Sequence, residues 1–119
     1  MISNYGLHIK ERDNRDIIET EYGFLTYTIF EEECFVHDVF VRKEFRKTGC
    51  VRKLADKITE IAIENKCTYL AGKVRMNDPH RDAILLHNMK WGFTLHSLEA
   101  NAIVLVKSLV IKKDLDKEI

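Results

Sequence analysis

The sequence has 119 residues, of which 45% are hydrophobic, and its 19 basic and 19 acidic side chains give a formal net charge of zero. This length is close to the commonest domain size of about 100–150 residues, so one domain over residues 1–119 is expected. Its apolar runs are shorter than the roughly 20 residues that cross a bilayer, and no basic region followed by an apolar core opens the chain. These features argue against a membrane or secreted protein and predict a cytoplasmic one.

The three cysteines, Cys34, Cys50 and Cys67, are widely spaced and odd in number. They form no C-x-x-C pair and have no histidine at zinc-ligand spacing. The sequence therefore predicts free, buried or half-buried thiols and no metal site.

The first half of the chain reads as three strands. Residues 5–10 are a short strand candidate, and the polar stretch 11–20 is expected to be a loop or a single helical turn. Aromatic and β-branched residues over 21–30 favour a second strand, and residues 34–42 favour a third. Since only a tight polar turn separates the last two, they are predicted to form a hairpin.

After Gly49 the apolar residues recur at helical spacing, which predicts an amphipathic helix over residues 50–65. A strand over 67–76 and a second helix follow, the helix having Pro79 in its first turn and Gly92 just past its end. Two strands that turn near Ala100 and Asn101 complete the order, and residues 111–119 are predicted to be a flexible tail. The pattern is that of a mixed α/β domain in which the helix after Gly49 crosses between two adjacent strands.

Positive charge is concentrated at the junction between the third strand and the first long helix. Residues 42–53 contain six cationic side chains and one anionic side chain, a net charge of +5. A glycine-bearing loop that leads into a helix presents several backbone N–H groups, and the helix dipole adds positive potential, which suits a phosphate or pyrophosphate. A solvated face and a nucleic-acid patch are the alternative interpretations of this block.

The spacing Val41-x-x-x-x-Arg46-x-x-Gly49 resembles motif A of the GCN5-related N-acetyltransferases (GNAT), whose pattern runs Arg/Gln-x-x-Gly-x-Gly/Ala. The V-x-x-N at residues 74–77 is similar to the end of the family's next strand, and "HNMKWGF" at 87–93 is similar to the end of its following helix. The resemblance covers residues 22–110. It implies a single GNAT-like domain with a mixed, mostly antiparallel central sheet flanked by helices, and acetyl-coenzyme A as the cofactor.

The resemblance also implies the site residues. The backbone amides of the motif would hold the pyrophosphate, and a strand amide near Val39 to Val41 would hold the thioester carbonyl. The residues implied to bind cofactor are Val39, Phe40, Val41, Arg46, Lys47, Thr48, Gly49, Cys50, Val51, Arg52, Asn77 and Asn88. Asn77 is alternatively a helix cap.

Catalytic candidates are His37 and Asp38, which strand alternation places on opposite faces, and His87. Three departures from the family stand out. Val51 occupies a position where Gly or Ala is usual, and Asn88 occupies the position of a tyrosine that can protonate the departing thiolate, with His87 beside it as a stand-in. The helical cover between the family's first two strands is missing or reduced.

The leading hypothesis is an acetyl-coenzyme A-dependent N-acetyltransferase whose open acceptor side suits a bulky amine, such as a protein lysine or N-terminus. The resemblance is also compatible with a homodimer. The alternatives are a catalytically degenerate protein that binds acyl-coenzyme A or a partner, and a nucleic-acid-binding module. The last is disfavoured because the basic block has one interleaved aromatic and the remaining chain is acidic.

Overall fold

In the computed structural model, which describes residues 2–109, six strands form one mixed sheet with helices on both faces. This architecture confirms the predicted α/β class, and the predicted tail lies outside the described residues. In chain order the elements are α1 (Asn4–Asp13), β1 (Asp16–Thr20), β2 (Gly23–Phe30), β3 (Glu33–Val41), a 3-10 turn (Lys43–Phe45), α2 (Cys50–Glu64), β4 (Tyr69–Arg75), α3 (Arg81–Lys90), β5 (Thr94–Glu99) and β6 (Ala102–Ser108).

The strand order is β1-β2-β3-β4-β6-β5. Within it, β3 and β4 run parallel, and the other four neighbouring pairs are antiparallel. A parallel pair needs a long crossover connection, which α2 supplies here. The predicted crossover between adjacent strands is thereby confirmed.

The N-terminal segment contradicts the prediction. Residues 5–10 form part of α1 and not a strand, because both ends of this helix are capped. The Ser3 hydroxyl accepts a hydrogen bond from the Gly6 N–H at 2.9 Å, and Asn14, in the left-handed conformation, donates its N–H to the Lys10 carbonyl. The stretch predicted to be a loop contains β1, which pairs with β2 along its whole length.

The core lies between the sheet and α2. Its fully buried side chains come from β2, β3 and the apolar face of α2, notably Leu25, Cys34, Leu54 and Ile58. Because Leu25 faces α2, its neighbours along β2 face the opposite side of the sheet. There α1 packs through aromatic contacts, in which the Phe24 ring lies 5.4 Å from Tyr5 and 5.6 Å from Phe40.

Burial explains the chemistry of the thiols. All three cysteines are free and buried, as predicted. Removal from water, together with the neighbouring Cys67, raises the pKa of Cys34 to about 12, and burial raises the pKa of Cys67. These side chains act as small apolar core residues.

The second half of the chain follows the predicted order with one shifted boundary. α3 begins at Arg81, so Pro79 lies in the preceding turn and not in the first helical turn. The Asp78 carboxylate accepts the His80 N–H at 2.8 Å, and Asn77 is not the cap. The hairpin turns at Ala100–Asn101 as predicted, and every residue of β5 is exposed at the sheet edge.

Candidate functional site

A β-bulge interrupts β3 at one residue. Along β2, Thr26 is opposite Asp38 while the next residue, Tyr27, is opposite Val36, so His37 has no partner on β2. An extra residue of this kind turns the strand and changes which face the following side chains occupy. The bulge therefore divides β3 into a paired half, residues 33–36, and an open half, residues 37–41.

The two halves differ in their contact with β4. The parallel ladder runs from Glu33 opposite Tyr69 to Val36 opposite Gly72 and ends there, although both strands continue. The strands beyond this point diverge around a cavity of about 670 Å³. Its lining comes from the strands and from the facing sides of α2 and α3, and includes His37, Asp38, Val39, Val51, Ala55, Lys73, Asp78, Ile84, His87, Asn88 and Trp91.

His37 and Asp38 lie on the same face of the sheet, and the predicted opposite placement is wrong. The His37 Nε2 is 3.0 Å from the Thr28 hydroxyl, and the Asp38 Oδ2 is 3.4 Å from the Thr26 hydroxyl. Thr26 and Thr28 are two residues apart on β2 and share a face. The bulge cancels the alternation that sequence spacing assumes, so both candidates lie on the face that α1 covers.

A third charged residue completes this polar cluster. Arg15, between α1 and β1, places its Nη1 3.2 Å from the Asp38 Oδ2, and its side chain is 31% exposed. The Asp38 backbone N–H also donates to the Thr26 hydroxyl, at 3.1 Å. Sequence reasoning missed Arg15 because the pairing of β1 with β2 and of β2 with β3 brings it to a residue 23 positions away.

The environment of the His37 imidazole favours its neutral form. Burial is the main reason that its pKa is lowered from the ordinary value, and the positive charge of Arg15 acts in the same direction. Asp38 opposes this effect, as does Asp13, while Lys73 adds to it weakly. A neutral imidazole at physiological pH has a nitrogen lone pair that can accept a proton.

The loop before α2 has the geometry of an anion-binding helix start. Gly49 is the N-cap residue, with φ 86° and ψ 4°, a left-handed conformation that glycine adopts without strain. The first intrahelical bond at this end is from the Lys53 N–H to the Gly49 carbonyl at 3.1 Å. The N–H groups of the preceding residues in the first turn have no intrahelical acceptor and point out of the helix end. A Cβ on Gly49 would meet no atom within 4 Å, so a ligand can approach it.

The side chains of this loop stabilise its conformation and also supply its positive charge. The Arg46 Nε donates to the Val41 carbonyl at 3.0 Å, which ties the loop to the end of β3. The Thr48 hydroxyl bonds the Phe45 carbonyl and lies 3.2 Å from the Cys50 sulfur. Lys47 has a positive φ of 64° and is exposed, as are the side chains of Arg46 and Arg52. Arg52 occupies the first turn of α2, as predicted.

Six of the residues predicted for the site line the cavity: His37, Asp38, Val39, Val51, His87 and Asn88. The Phe40 ring instead packs on Phe24, and the Val41 side chain is in the core. Asn77 is exposed in the turn after β4, and its neighbour Asp78 lines the cavity in its place. The cofactor role predicted for Asn77 has no support from its position.

The α3 residues at the cavity are held by local contacts. The Asn88 side-chain amide donates to the Ile84 carbonyl at 3.0 Å, one turn earlier in the helix. The His87 ring lies 4.2 Å from the Trp91 ring and is exposed. Val51, from α2, packs against the core and lines the cavity, so it fills space that a smaller residue would leave open.

Residues 2–109 show neither a metal-binding cluster nor a membrane-spanning helix. No group of three or more His, Cys, Asp or Glu side chains that could hold a metal ion occurs there. No helix among these residues is long and apolar enough to cross a membrane.

Comparison with known proteins places the chain in a family. The model of the acetyltransferase (GNAT) family matches residues 7–93, which is more than two thirds of the sequence. The chain belongs to the GNAT family. Its resemblance to that family, first seen at the motif-A spacing, is confirmed. Among curated proteins, none matches the sequence.

Solved GNAT structures share the fold at low sequence identity. A GNAT-family protein from Desulfovibrio desulfuricans has a TM-score of 0.71 and 13% identity, over 81% of this chain and 70% of that one. A GNAT acetyltransferase from Elizabethkingia anophelis, solved with acetyl-CoA bound, has a TM-score of 0.70 and 14% identity, over 90% of this chain and 84% of that one. The PaiA N-acetyltransferase of Thermoplasma acidophilum, in complex with coenzyme A, has a TM-score of 0.68 and 13% identity, over 84% of this chain and 65% of that one.

Proposed function

We propose that the protein is an acetyl-coenzyme A-dependent N-acetyltransferase that transfers an acetyl group to an amine. The observation that supports it most directly is the divergence of β3 and β4 beyond the pair Val36 and Gly72, next to the helix start at Gly49. This arrangement offers N–H donors for a pyrophosphate and an adjoining opening for a thioester arm. GNAT neighbours with coenzyme A or acetyl-CoA bound are consistent with this choice of acyl donor.

Different parts of the chain would bind the phosphates and the thioester carbonyl. The exposed N–H groups at the start of α2, with Arg46, Lys47 and Arg52, would hold the phosphates by charge-assisted hydrogen bonds. Since the open half of β3 has no partner on the β4 side, its backbone groups there are available to hold a carbonyl oxygen. Acetyl-coenzyme A would supply the acetyl group as a thioester, and the acceptor nitrogen would replace its sulfur.

The acceptor is proposed to enter from the face that carries His37 and Asp38. Side chains from both faces of the sheet line the cavity, so the opening passes between the strands. The loop at Gly49 belongs to the α2 side and the polar cluster to the α1 side, which separates the acyl donor from the acceptor. A bulky amine, such as a protein lysine or N-terminus, suits this exposed cluster, in which the Asp38 side chain is 62% exposed.

Protonation of the leaving thiolate requires another group. Asn88 has no acidic proton, and its side-chain amide is engaged by the Ile84 carbonyl. His87 lines the cavity one residue earlier and is the remaining titratable side chain of α3 that does so. We therefore assign thiolate protonation to His87 or to solvent, and we expect His87→Phe to slow turnover only modestly.

Calorimetry with acetyl-coenzyme A tests the proposed binding site. Gly49→Asp introduces a negative charge beside the phosphates and should weaken binding at least ~tenfold, or about 1.4 kcal/mol. Gly49→Asn is the matched control, because asparagine has the same shape, tolerates the left-handed conformation and carries no charge. Equal affinities in the two folded variants would contradict the assignment.

A catalytically degenerate acyl-coenzyme A-binding protein is the second candidate. The specific observation in its favour is that Asn88 occupies the position of the usual acid and is turned onto its own helix. Mass spectrometry of amine-bearing peptides incubated with acetyl-coenzyme A distinguishes the two functions. Binding without any acetylated product would favour the degenerate protein.

A further inference from the structure

The polar cluster around the bulge contains two residues that the proposed mechanism does not yet use. Arg15 and Thr28 contact the two acid–base candidates from different elements, Arg15 at Asp38 and Thr28 at His37. Neither residue lies in the cofactor loop or among the residues that line the cavity. Their contacts are directed at the side chains that would meet the acceptor.

The guanidinium group of Arg15 and the hydroxyl groups of Thr26 and Thr28 determine which atoms of Asp38 and His37 remain free to contact the acceptor. Arg15 and Thr26 both address the Oδ2 atom of Asp38, so its Oδ1 is the oxygen left for an incoming ammonium group. Thr28 addresses the Nε2 atom of His37. When Nε2 carries the hydrogen and donates it to Thr28, Nδ1 is the ring atom with a free lone pair.

We propose that Arg15 is a positioning residue for proton removal from the acceptor amine, since it anchors Asp38 and keeps His37 available as the proton acceptor. This proposal rests on the proposed acetyltransferase function. In the step it serves, an acceptor that arrives as an ammonium ion gives one N–H proton to Nδ1 of the neutral imidazole. The nitrogen keeps the electron pair with which it attacks, and the imidazole becomes a cation.

The charges around His37 make the role of Arg15 separable from that of its neighbours. The cations that act on the ring are Arg15, between α1 and β1, and Lys73, on β4. The anions are Asp13, at the end of α1, and Asp38, the residue that follows His37 on β3. Arg15 lowers the pKa of His37 and is the largest charge effect, after burial. Without Arg15, Lys73 is the remaining cation that lowers the pKa of His37, while Asp38 and Asp13 still raise it, so the imidazole should hold its proton to higher pH.

Imidazole NMR spectra of the protein without acetyl-coenzyme A test this role directly. The His37 signals are assigned by their loss in His37→Gln and followed across the pH range in which histidines titrate. Arg15→Gln should move the His37 midpoint to higher pH, and Arg15→Lys should restore part of the wild-type value. Asp38→Asn should move the midpoint in the opposite direction, to lower pH, because it removes an anion and leaves Arg15 in place.

Lys10→Gln is the matched control. Lys10, on α1, forms an ion pair of similar length, 3.1 Å to Asp16 at the start of β1, and neither partner is among the charges acting on His37. It should leave the His37 midpoint unchanged. A midpoint that stays fixed in Arg15→Gln, or that moves to lower pH, would overturn the proposal, as would equal shifts in Arg15→Gln and Lys10→Gln.

The ring tautomer and cofactor binding provide two further readouts. The nitrogen shifts of wild-type His37 should show hydrogen on Nε2, and Thr28→Val should weaken that preference; hydrogen on Nδ1 in the wild type would also overturn the proposal. Calorimetry should give the same acetyl-coenzyme A affinity for Arg15→Gln as for the wild type. If the wild type did not bind acetyl-coenzyme A, the proposed function would be refuted, whatever the NMR midpoints show.

Discussion

The paired and open halves of β3 have similar compositions but different neighbours. Residues 33–36 pair with β2 on one side and β4 on the other, and Cys34 among them is fully buried. Residues 38–41 pair with β2 alone, and Val39 and Phe40 are 48% and 45% exposed. The first half thus supplies Cys34 to the core, whereas His37, Asp38 and Val39 of the second half line the cavity. The difference shows that a site can open where the ladder between two neighbouring strands ends.

The open half depends on β2 for its position, and at Gly23 no side chain fits between the two strands. Gly23 is opposite Val41, and a Cβ on it would overlap the Phe40 carbonyl oxygen. We expect Gly23→Ala to lower the free energy of unfolding by about 3 kcal/mol or more, because backbone must move to relieve the overlap. Gly72→Ala is the control at the last pair of β3 with β4, where the nearest atom would be 3.8 Å away. Urea denaturation curves that shift equally for the two variants would contradict the comparison.

The paired half can be tested through the Cys34 thiol. Its pKa is about 12 in the folded chain against 9.0 for an ordinary thiol, so the unfolded chain loses this proton first. The folded state binds more protons between these values, and the free energy of unfolding should therefore fall as pH rises from about 9 to about 12. Cys34→Ala should lack this component when its urea curves are measured over the same range. A pH dependence as steep in Cys34→Ala as in the wild type would show that another group is responsible.

Arg46 connects the open half to the cofactor loop. Because its Nε is bonded to the Val41 carbonyl, its removal loosens the loop and also deletes a positive charge. We expect Arg46→Ala to weaken acetyl-coenzyme A several-fold by calorimetry. Arg46→Lys keeps the charge without the same bond, and should recover only part of the affinity if the bond matters.

Val51 lies at the boundary between the core and the cavity. It packs against the core and also lines the cavity. We expect Val51→Ala to lower the free energy of unfolding by roughly 1 kcal/mol through lost apolar burial. Acetyl-coenzyme A affinity should rise slightly, because the cavity widens. Weaker binding in this variant would show that Val51 contributes contacts to the ligand.

Lys53 is expected to show the smallest effect. Its ammonium group is exposed on α2 and lies 6.0 Å from the Tyr22 ring centroid. Lys53→Ala should change stability by less than about 0.5 kcal/mol and leave acetyl-coenzyme A affinity unchanged. Nucleic-acid binding would give a different result in mobility-shift assays, since removal of Lys43, Arg46 or Lys53 would then weaken the complex by similar steps.

The sequence predicted those features whose cause is local. Helical periodicity identified α2, and Gly49 between a strand and a helix identified the loop. The bulge at His37 has no local sequence signal, because it depends on how β3 is paired, and the faces of His37 and Asp38 were therefore predicted wrongly. Arg15 was missed for the same reason.

The misassigned N-terminal helix is a different kind of error. Residues 5–10 include aromatic and branched side chains that favour strands, whereas the decisive signals were the caps at Ser3 and Asn14. Reading the capping residues before the apolar pattern would have favoured a helix. The prediction that Asn77 caps α3 is wrong because the helix begins later, at Arg81, with His80 as its N-cap residue.

The register shift in β5 at His96 bears on how the protein behaves at high concentration. β5 is the last strand of the described sheet and exposes Leu95 and Leu98, which are 60% and 69% accessible. A long, flat and apolar edge of this kind would be a template for strands of other molecules. The irregularity shortens the regular stretch, and the Glu99 carboxylate, paired with Lys73 at 2.9 Å, adds charge at its end. A bulge that opens a cavity in β3 thus has a counterpart in β5 that discourages self-association by strand addition.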